Sequence, residues 1–314
     1  MDDWAQSQLM TKVARLYHEQ GVTQVEIGRR LNLSQAKVSR LLARARDAGI
    51  VRTVVTPPLG LSVDLEDALQ ARYGLSDAVV VEDPGPGVDP DPDLGARAAP
   101  YLEATLGGSG ALGVSSWSAT LLAAAQAMGR TPGGLSHVVQ LVGGHGDPAT
   151  QMRAMRLLTL LAGATGADPV ALPAPGTLSS ATSRDALLAD GAITPVVGRW
   201  ADLTAALVGI GSVDPSPMLR ESGNAWSEND VRELTRAGAI GDICLRFFSA
   251  SGQPVASSVD DRVVGIDLDT FGRIPRRIAV AGGANKVAAI RGALLGGWIN
   301  VLVTNRGTAE QLVD

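Results

Sequence analysis

Apolar residues at the start of the chain recur at helical spacing. Leu9, Val13, Leu16 and Tyr17 share one face of a segment running from about Gln8 to Gln20, which Gly21 ends. Val25, Ile27 and Leu31 form the apolar side of a second, shorter helix. Thr23 and Glu26 stand at its start in the spacing of a capping box. Asn32 suits a tight turn, and Ser34 caps a third helix with Val38, Leu41, Leu42 and Ala45 on one stripe. Opposite that stripe lie Gln35, Lys37, Ser39, Arg40 and Arg44, all groups able to reach nucleic acid. Three short helices around one core, the last polar and basic on its free side, predict a helix-turn-helix.

Ile50–Val55 alternates like a short strand, which would make the head winged, and Pro57-Pro58 then breaks the chain. The expected division is a DNA-binding head over residues 1–56 and a large body over residues 57–314. In the body the pattern changes. Val63–Tyr73 predicts a connecting helix and Ala78–Val81 a buried strand; Asp83–Asp93, with four prolines, predicts a loop. Helical periods follow at Arg97–Leu106, Ala119–Met128, Gln151–Ala162, Arg184–Leu188, Glu228–Ala237 and Asn285–Leu295. Between them come strand-like runs at Gly110–Val114, Val138–Leu141, Val170–Leu172, Ala205–Ile210, Asp242–Phe247, Val263–Gly265, Ile278–Ala281 and Val301–Thr304. That alternation predicts an α/β domain with a mainly parallel sheet, which binds ligands at the carboxyl edge of its strands.

Charge separates the two parts. Residues 1–56 hold nine Lys/Arg and five Asp/Glu, the rest eighteen and twenty-seven, so a head of +4 precedes a body of −9 in a chain of net charge −5. A basic head on an acidic body fits phosphate contact at one end only. One cysteine, Cys244, excludes a disulfide framework and a cysteine-rich metal site. No apolar run reaches membrane-spanning length, and the Met-Asp-Asp-Trp start has no signal-peptide core, so a cytoplasmic protein is expected.

Several strand-ending turns of the body are polar or glycine-rich: Ser115–Thr120, Gly143-Gly144-His145-Gly146, Gly209-Ile210-Gly211-Ser212 and Gly282-Gly283-Ala284-Asn285-Lys286. The first and last lead into helices, where free N–H groups favour an anion. None matches a P-loop or a dinucleotide-binding glycine fingerprint. Lys286 is the body's one lysine and opposes a helix dipole, a placement that fits an anionic partner, whereas a solvated surface lysine would need no partner. Catalytic groups are sparse. His145 and Asp147 are neighbours, but no nucleophile elbow accompanies them, and no cluster has metal-ligand spacing. Neither a cofactor nor a metal is expected, and a binding module is favoured over an enzyme.

The order of motifs resembles the SorC family of bacterial, DeoR-like, sugar-binding transcriptional regulators. The resemblance runs from Val13-Ala14-Arg15-Leu16-Tyr17 through Thr23-Gln24-x-Glu26-Ile27 and Lys37-Val38-Ser39-Arg40-Leu41-Leu42 to Gly49-Ile50-Val51. In the body it takes in Val138-Val139-Gln140-Leu141-x-Gly143-Gly144, Leu172-Pro173-Ala174-Pro175, Gly209-Ile210-Gly211 and Gly241-Asp242-Ile243-Cys244-x-Arg246-Phe247-Phe248. It continues with Arg273-Ile274-Pro275, Gly282-Gly283-x-x-Lys286 and Gly297-x-Ile299-Asn300-Val301-Leu302-Val303-Thr304.

The resemblance implies a body with the sugar-phosphate isomerase and CoA-transferase fold, used as an effector sensor, and a tetramer on operator DNA. It implies that Ser118, Ala119 and Thr120 form a phosphate-cradling turn near Gly143 and Gly144. Asp242 would take sugar hydroxyls and Lys286 would bind phosphate. The chain departs at Ser118, where members commonly have Gly, and at Val142, where some carry a basic residue. The expected DNA-contacting set is Thr23, Ser34, Gln35, Lys37, Ser39, Arg40 and Arg44. The expected function is repression of a carbohydrate or polyol operon under control of a sugar or sugar phosphate. The alternative is a phosphosugar isomerase carrying a DNA-binding head, with Asp242 as its base.

Overall fold

The computed structural model describes residues 3–51, 61–85, 90–131, 133–144, 148–215, 219–220 and 226–314. The expected strand beyond Val51, the Pro57-Pro58 break, and His145 with Asp147 lie outside the described residues. The chain forms two compact units, Met1–Pro58 and Leu59–Asp314.

The first unit is built from α1 (Asp3–His18), α2 (Gln24–Leu31) and α3 (Gln35–Asp47). Met10, Val13 and Ala14 of α1 meet Ile27 of α2 and Val38, Leu41, Leu42 and Ala45 of α3 in one core. The expected caps hold on one side only. Thr23 Oγ1 accepts the Glu26 N–H at 3.3 Å, and Ser34 Oγ accepts the Lys37 N–H at 3.3 Å. The Glu26 carboxylate does not return to the Thr23 backbone; it takes Arg29 and Arg30 at 2.7 and 3.0 Å instead, because two guanidinium groups one turn on offer charge-assisted bonds. Between α2 and α3, Asn32 is left-handed (φ 54°). Gly28 lets the turn fold back, since a Cβ there would strike the Leu33 carbonyl.

The second unit is a doubly covered sheet. In chain order its elements are α4 (Val63–Tyr73), β1 (Asp77–Val81), α5 (Pro90–Thr105), β2 (Ser109–Val114), α6 (Ala119–Ala127), β3 (Gly134–Gln140), α7 (Pro148–Thr165), β4 (Asp168–Val170), α8 (Ala181–Leu188) and α9 (Thr194–Gly198). They continue with β5 (Leu203–Val208), β6 (Gly211–Ser212), α10 (Glu228–Arg236), β7 (Ala239–Ile243), β8 (Arg246–Ser249), α11 (Leu268–Arg273), β9 (Arg276–Val280), α12 (Val287–Leu295), β10 (Val301–Asn305) and α13 (Arg306–Val313). Seven strands form one sheet in the order β1-β10-β9-β5-β2-β3-β4, and every neighbouring pair is parallel.

Period-two alternation sends side chains to opposite faces of this sheet. Leu112, Leu207, Ile278 and Val303 pack with Leu102 of α5, Leu121 of α6 and Leu161 of α7. Their chain neighbours Ala111, Ala206, Ala279 and Leu302 pack on the other face with Leu69 of α4, Ile290 of α12 and Leu312 of α13. β2 lies between β5 and β3, so the chain leaves it toward one side and returns on the other. A crevice at the carboxyl ends of β2 and β5 follows from that change of direction. A small antiparallel sheet, β6-β7-β8, stands beside it.

Three expectations are corrected. The part of the proline-rich stretch after residue 89 is helix: α5 starts at Pro90, where a missing N–H is harmless and Asp91 and Asp93 complement the dipole. The strand expected over Asp242–Phe247 is two strands, β7 and β8, joined at Cys244 and Leu245 with φ of 53° and 63°. Two apolar residues give no sequence sign of such a turn, which usually needs Gly or Asn. Val263–Gly265 makes only isolated bridges, with Thr177 and Val142.

Candidate functional site

On α3 the residues expected to meet DNA share the free side. Gln35, Lys37, Ser39, Arg40 and Arg44 are all exposed, as is Arg46. Both glutamates of the head are engaged elsewhere, Glu26 with Arg29 and Arg30 and Glu19 with Arg15. Lys37, Arg40 and Arg44 make no ion pair among the described residues. A helix that presents unpaired cations and amide groups beside one another is suited to phosphates and base edges. Thr23 and Ser34 are exposed N-caps whose oxygens hold the helix starts, and each hydroxyl can still donate its own proton.

In the body a cavity of about 680 Å³ opens at the crevice between β2 and β5. Ser115 closes its floor: its N–H donates to the Leu207 carbonyl at 3.1 Å, and its Oγ accepts the Gly209 N–H at 3.1 Å. Ser118 then caps α6 by accepting the Leu121 N–H at 3.2 Å, and Ala119 and Thr120 complete that turn on the cavity wall.

The glycines of Gly209-Ile210-Gly211 make room. A Cβ on Gly209 would press on Ser118, and one on Gly211 would collide with the Asp242 carboxylate. Asp242 is 7 % exposed, and its Oδ2 accepts the Leu245 N–H at 3.0 Å from the left-handed turn. Burial pushes its carboxyl up to about 7, partly offset by that N–H. Near neutral pH it can therefore accept or donate to a hydroxyl.

Val142 and Trp117 belong to the apolar part of the wall. Gln140 is buried and fixes the strand end: its Nε2 donates to the Val142 carbonyl at 2.8 Å, and its Oε1 accepts the Leu172 N–H at 3.0 Å. Gly143 and Gly144 are not part of the cavity lining and support Trp117 on its wall. The Gly143 carbonyl accepts Trp117 Nε1 at 3.2 Å, and the indole lies where a Cβ of Gly144 would be.

Lys286 does line the cavity, just before α12, but not as a solvated cation. Its Nζ bonds both carboxylate oxygens of Asp91, at 3.0 and 3.1 Å. The Gly282-Gly283 turn beside it is also less open than its composition implies. The Gly283 N–H donates to Thr308 Oγ1 at 2.8 Å and to Asn305 Oδ1 at 3.2 Å.

The cavity thus brings together Ser118, Ala119, Thr120, Asp242 and Lys286, from three separate parts of the chain. Sequence reasoning missed Asp91 and Asp214, which also line it together with Asn285 of the glycine turn. Asp91 was hidden in a run whose only helical sign is proline at the start. Hydroxyls, a buried carboxylate, a paired lysine and an indole can hold a polyhydroxylated ligand. Among the described residues no group of His, Cys, Asp and Glu could hold a metal, and no helix is long and apolar enough to cross a membrane.

Residues 58–314 match the family model of the sugar-binding domain, and residues 8–48 match sigma-70 region 4, a helix-turn-helix region. The chain is 33 % identical to the deoxyribonucleoside regulator of Bacillus subtilis, covering 99 % of each protein. It is 32 % identical to the transcriptional regulator LsrR of Klebsiella pneumoniae, covering 98 % of this chain and 94 % of that one. The crystal structure of the full-length sorbitol operon regulator SorC from Klebsiella pneumoniae superposes with a TM-score of 0.71 at 26 % identity, covering 98 % of this chain and 99 % of that one. These relatives are regulators rather than enzymes.

Proposed function

The chain belongs to the SorC family of sugar-binding transcriptional regulators, and from that premise we propose that it represses a carbohydrate or polyol utilisation operon. Its operator affinity is set by a sugar or polyol, free or phosphorylated, held in the cavity beside Asp242. The chain is a DNA-binding regulator and not an isomerase. The observation that carries the effector reading is the buried Asp242 carboxylate, facing a cavity walled by Ser118 and Thr120 at the change of strand direction. Asp242, Ser118 and Thr120 take hydroxyls, Ala119 offers its backbone, and Gly143 and Gly144 act through Trp117.

Residues 1–56 serve as the DNA-binding part and 57–314 as the effector and oligomerisation part. Gln35, Lys37, Ser39 and Arg40 read base edges of double-stranded operator DNA, while Thr23, Ser34, Arg44 and Arg46 meet phosphates. The assembly is a homotetramer working in the cytoplasm, where the operator is. The effector shifts a population between operator-competent and incompetent arrangements of that oligomer.

A thermal-shift series with free and phosphorylated sugars and polyols tests the reading. Stabilisation of the natural protein that Asp242→Asn abolishes is the expected result. Equal stabilisation of both proteins contradicts it, and turnover of a sugar phosphate would revive the isomerase alternative. Sedimentation of the free protein tests the tetramer.

A further inference from the structure

The cavity's positive charge is already matched from within. Lys286 is the one cationic residue among the described residues of its lining, and both oxygens of Asp91 lie 3.0 and 3.1 Å from its ammonium. The other exposed carboxylate of the wall, Asp214, is paired with Arg220. Asp242 remains as a further acid, with no ion pair among the described residues. A phosphate ester entering here would meet a lysine that is already occupied, with no other cation among the described residues of the lining to receive it.

Asp91 does not hang on an open loop. It stands in the first turn of α5, and Gly95 one turn later lies so close to α6 that a Cβ would strike the Thr120 carbonyl. The contact fixes the start of α5 against the turn of Ser118, Ala119 and Thr120. The carboxylate therefore keeps its place beside Lys286 unless the helix packing itself gives way.

We infer that Asp91 fills the anion seat at Lys286, and so makes this cavity select uncharged, polyhydroxylated effectors over their phosphate esters. The inference rests on the reading of the cavity as the effector site. Asp91 acts here as a specificity-determining residue: it neutralises the lysine where a bound phosphate would otherwise do so, and it repels the ester.

The test compares the natural protein with Asp91→Asn, which keeps the shape and removes the charge. Probes are inorganic phosphate, the pair sorbitol and sorbitol 6-phosphate, and the pair 2-deoxyribose and 2-deoxyribose 5-phosphate, each titrated by calorimetry and thermal shift. Asp91→Asn is expected to bind inorganic phosphate and the esters at least tenfold more tightly than the natural protein. The free sugar or polyol should change less than about threefold, and adding Lys286→Ala should remove the gain. Unchanged affinity for inorganic phosphate in Asp91→Asn overturns the inference, as does tighter binding of an ester than of its free partner by the natural protein. Sugars that bind with an unaltered ester-to-free ratio also overturn the selection, while leaving the effector reading intact. A gain for phosphate with no sugar or polyol bound by either protein supports Asp91 as the occupant of the anion seat and removes the effector reading.

Discussion

Asp242 holds a proton where an ordinary aspartate has lost it. Its carboxyl is raised from 3.8 to about 7 because it is buried. An acid raised in the folded state favours folding fully below its unfolded value, and that contribution is lost as pH rises to the folded value. Stability should therefore fall between pH 4 and 7 by up to about 4 kcal/mol from this group, then level off. Denaturant melts across that range should show the slope in the natural protein and a flatter profile in Asp242→Asn, which cannot titrate. On the DNA side, Arg40→Ala should weaken operator binding by roughly 1–3 kcal/mol and relax the preferred sequence. Arg44→Ala should instead weaken binding to all duplexes alike and reduce the salt slope by about one. Binding isotherms on operator and scrambled DNA at several salt concentrations separate the two roles.

Among the elements, α5 and α6 fix the mouth of the cavity. Their contact depends on Gly95, where any side chain meets the backbone of Thr120. Gly95→Ala should destabilise the body by about 1–3 kcal/mol, as overpacking does, and should weaken effector binding while the head keeps its DNA affinity. Melting curves and titrations on the one variant check both effects. These elements also mark how far the sequence could be read. Helical and alternating periods located most of the strands and helices, because the buried stripe of Leu, Ile and Val is set by geometry alone. Ser118 is legible as chemistry at a strand end, and Asp242 through the family resemblance. Two features were not. The β7–β8 turn rests on left-handed Cys244 and Leu245, held by their burial and by the Asp242 carboxylate rather than by turn residues. Asp91 sits among prolines that resemble a loop but start a helix, and its bond to Lys286 spans 195 positions. Contacts of that range leave no local pattern.

At the scale of the whole molecule, charge and chemistry are divided between the two units. The head carries +4 and the body −9, so the acidic body should repel DNA while α3 attracts it. Operator affinity should fall steeply with added salt, in proportion to the phosphates each assembly contacts. The regulator reading requires more than two functions in one chain: occupancy of the cavity must change what the head does. The measurement that tests this most directly is fluorescence anisotropy on a duplex selected by the protein itself, with and without a stabilising sugar or polyol. The natural protein and Asp242→Asn are run side by side. Without effector the two proteins should have equal operator affinity; adding it should shift the natural protein roughly 5- to 150-fold and leave Asp242→Asn unshifted. An effector that binds the natural protein tightly yet leaves its operator affinity unchanged would contradict the regulator reading.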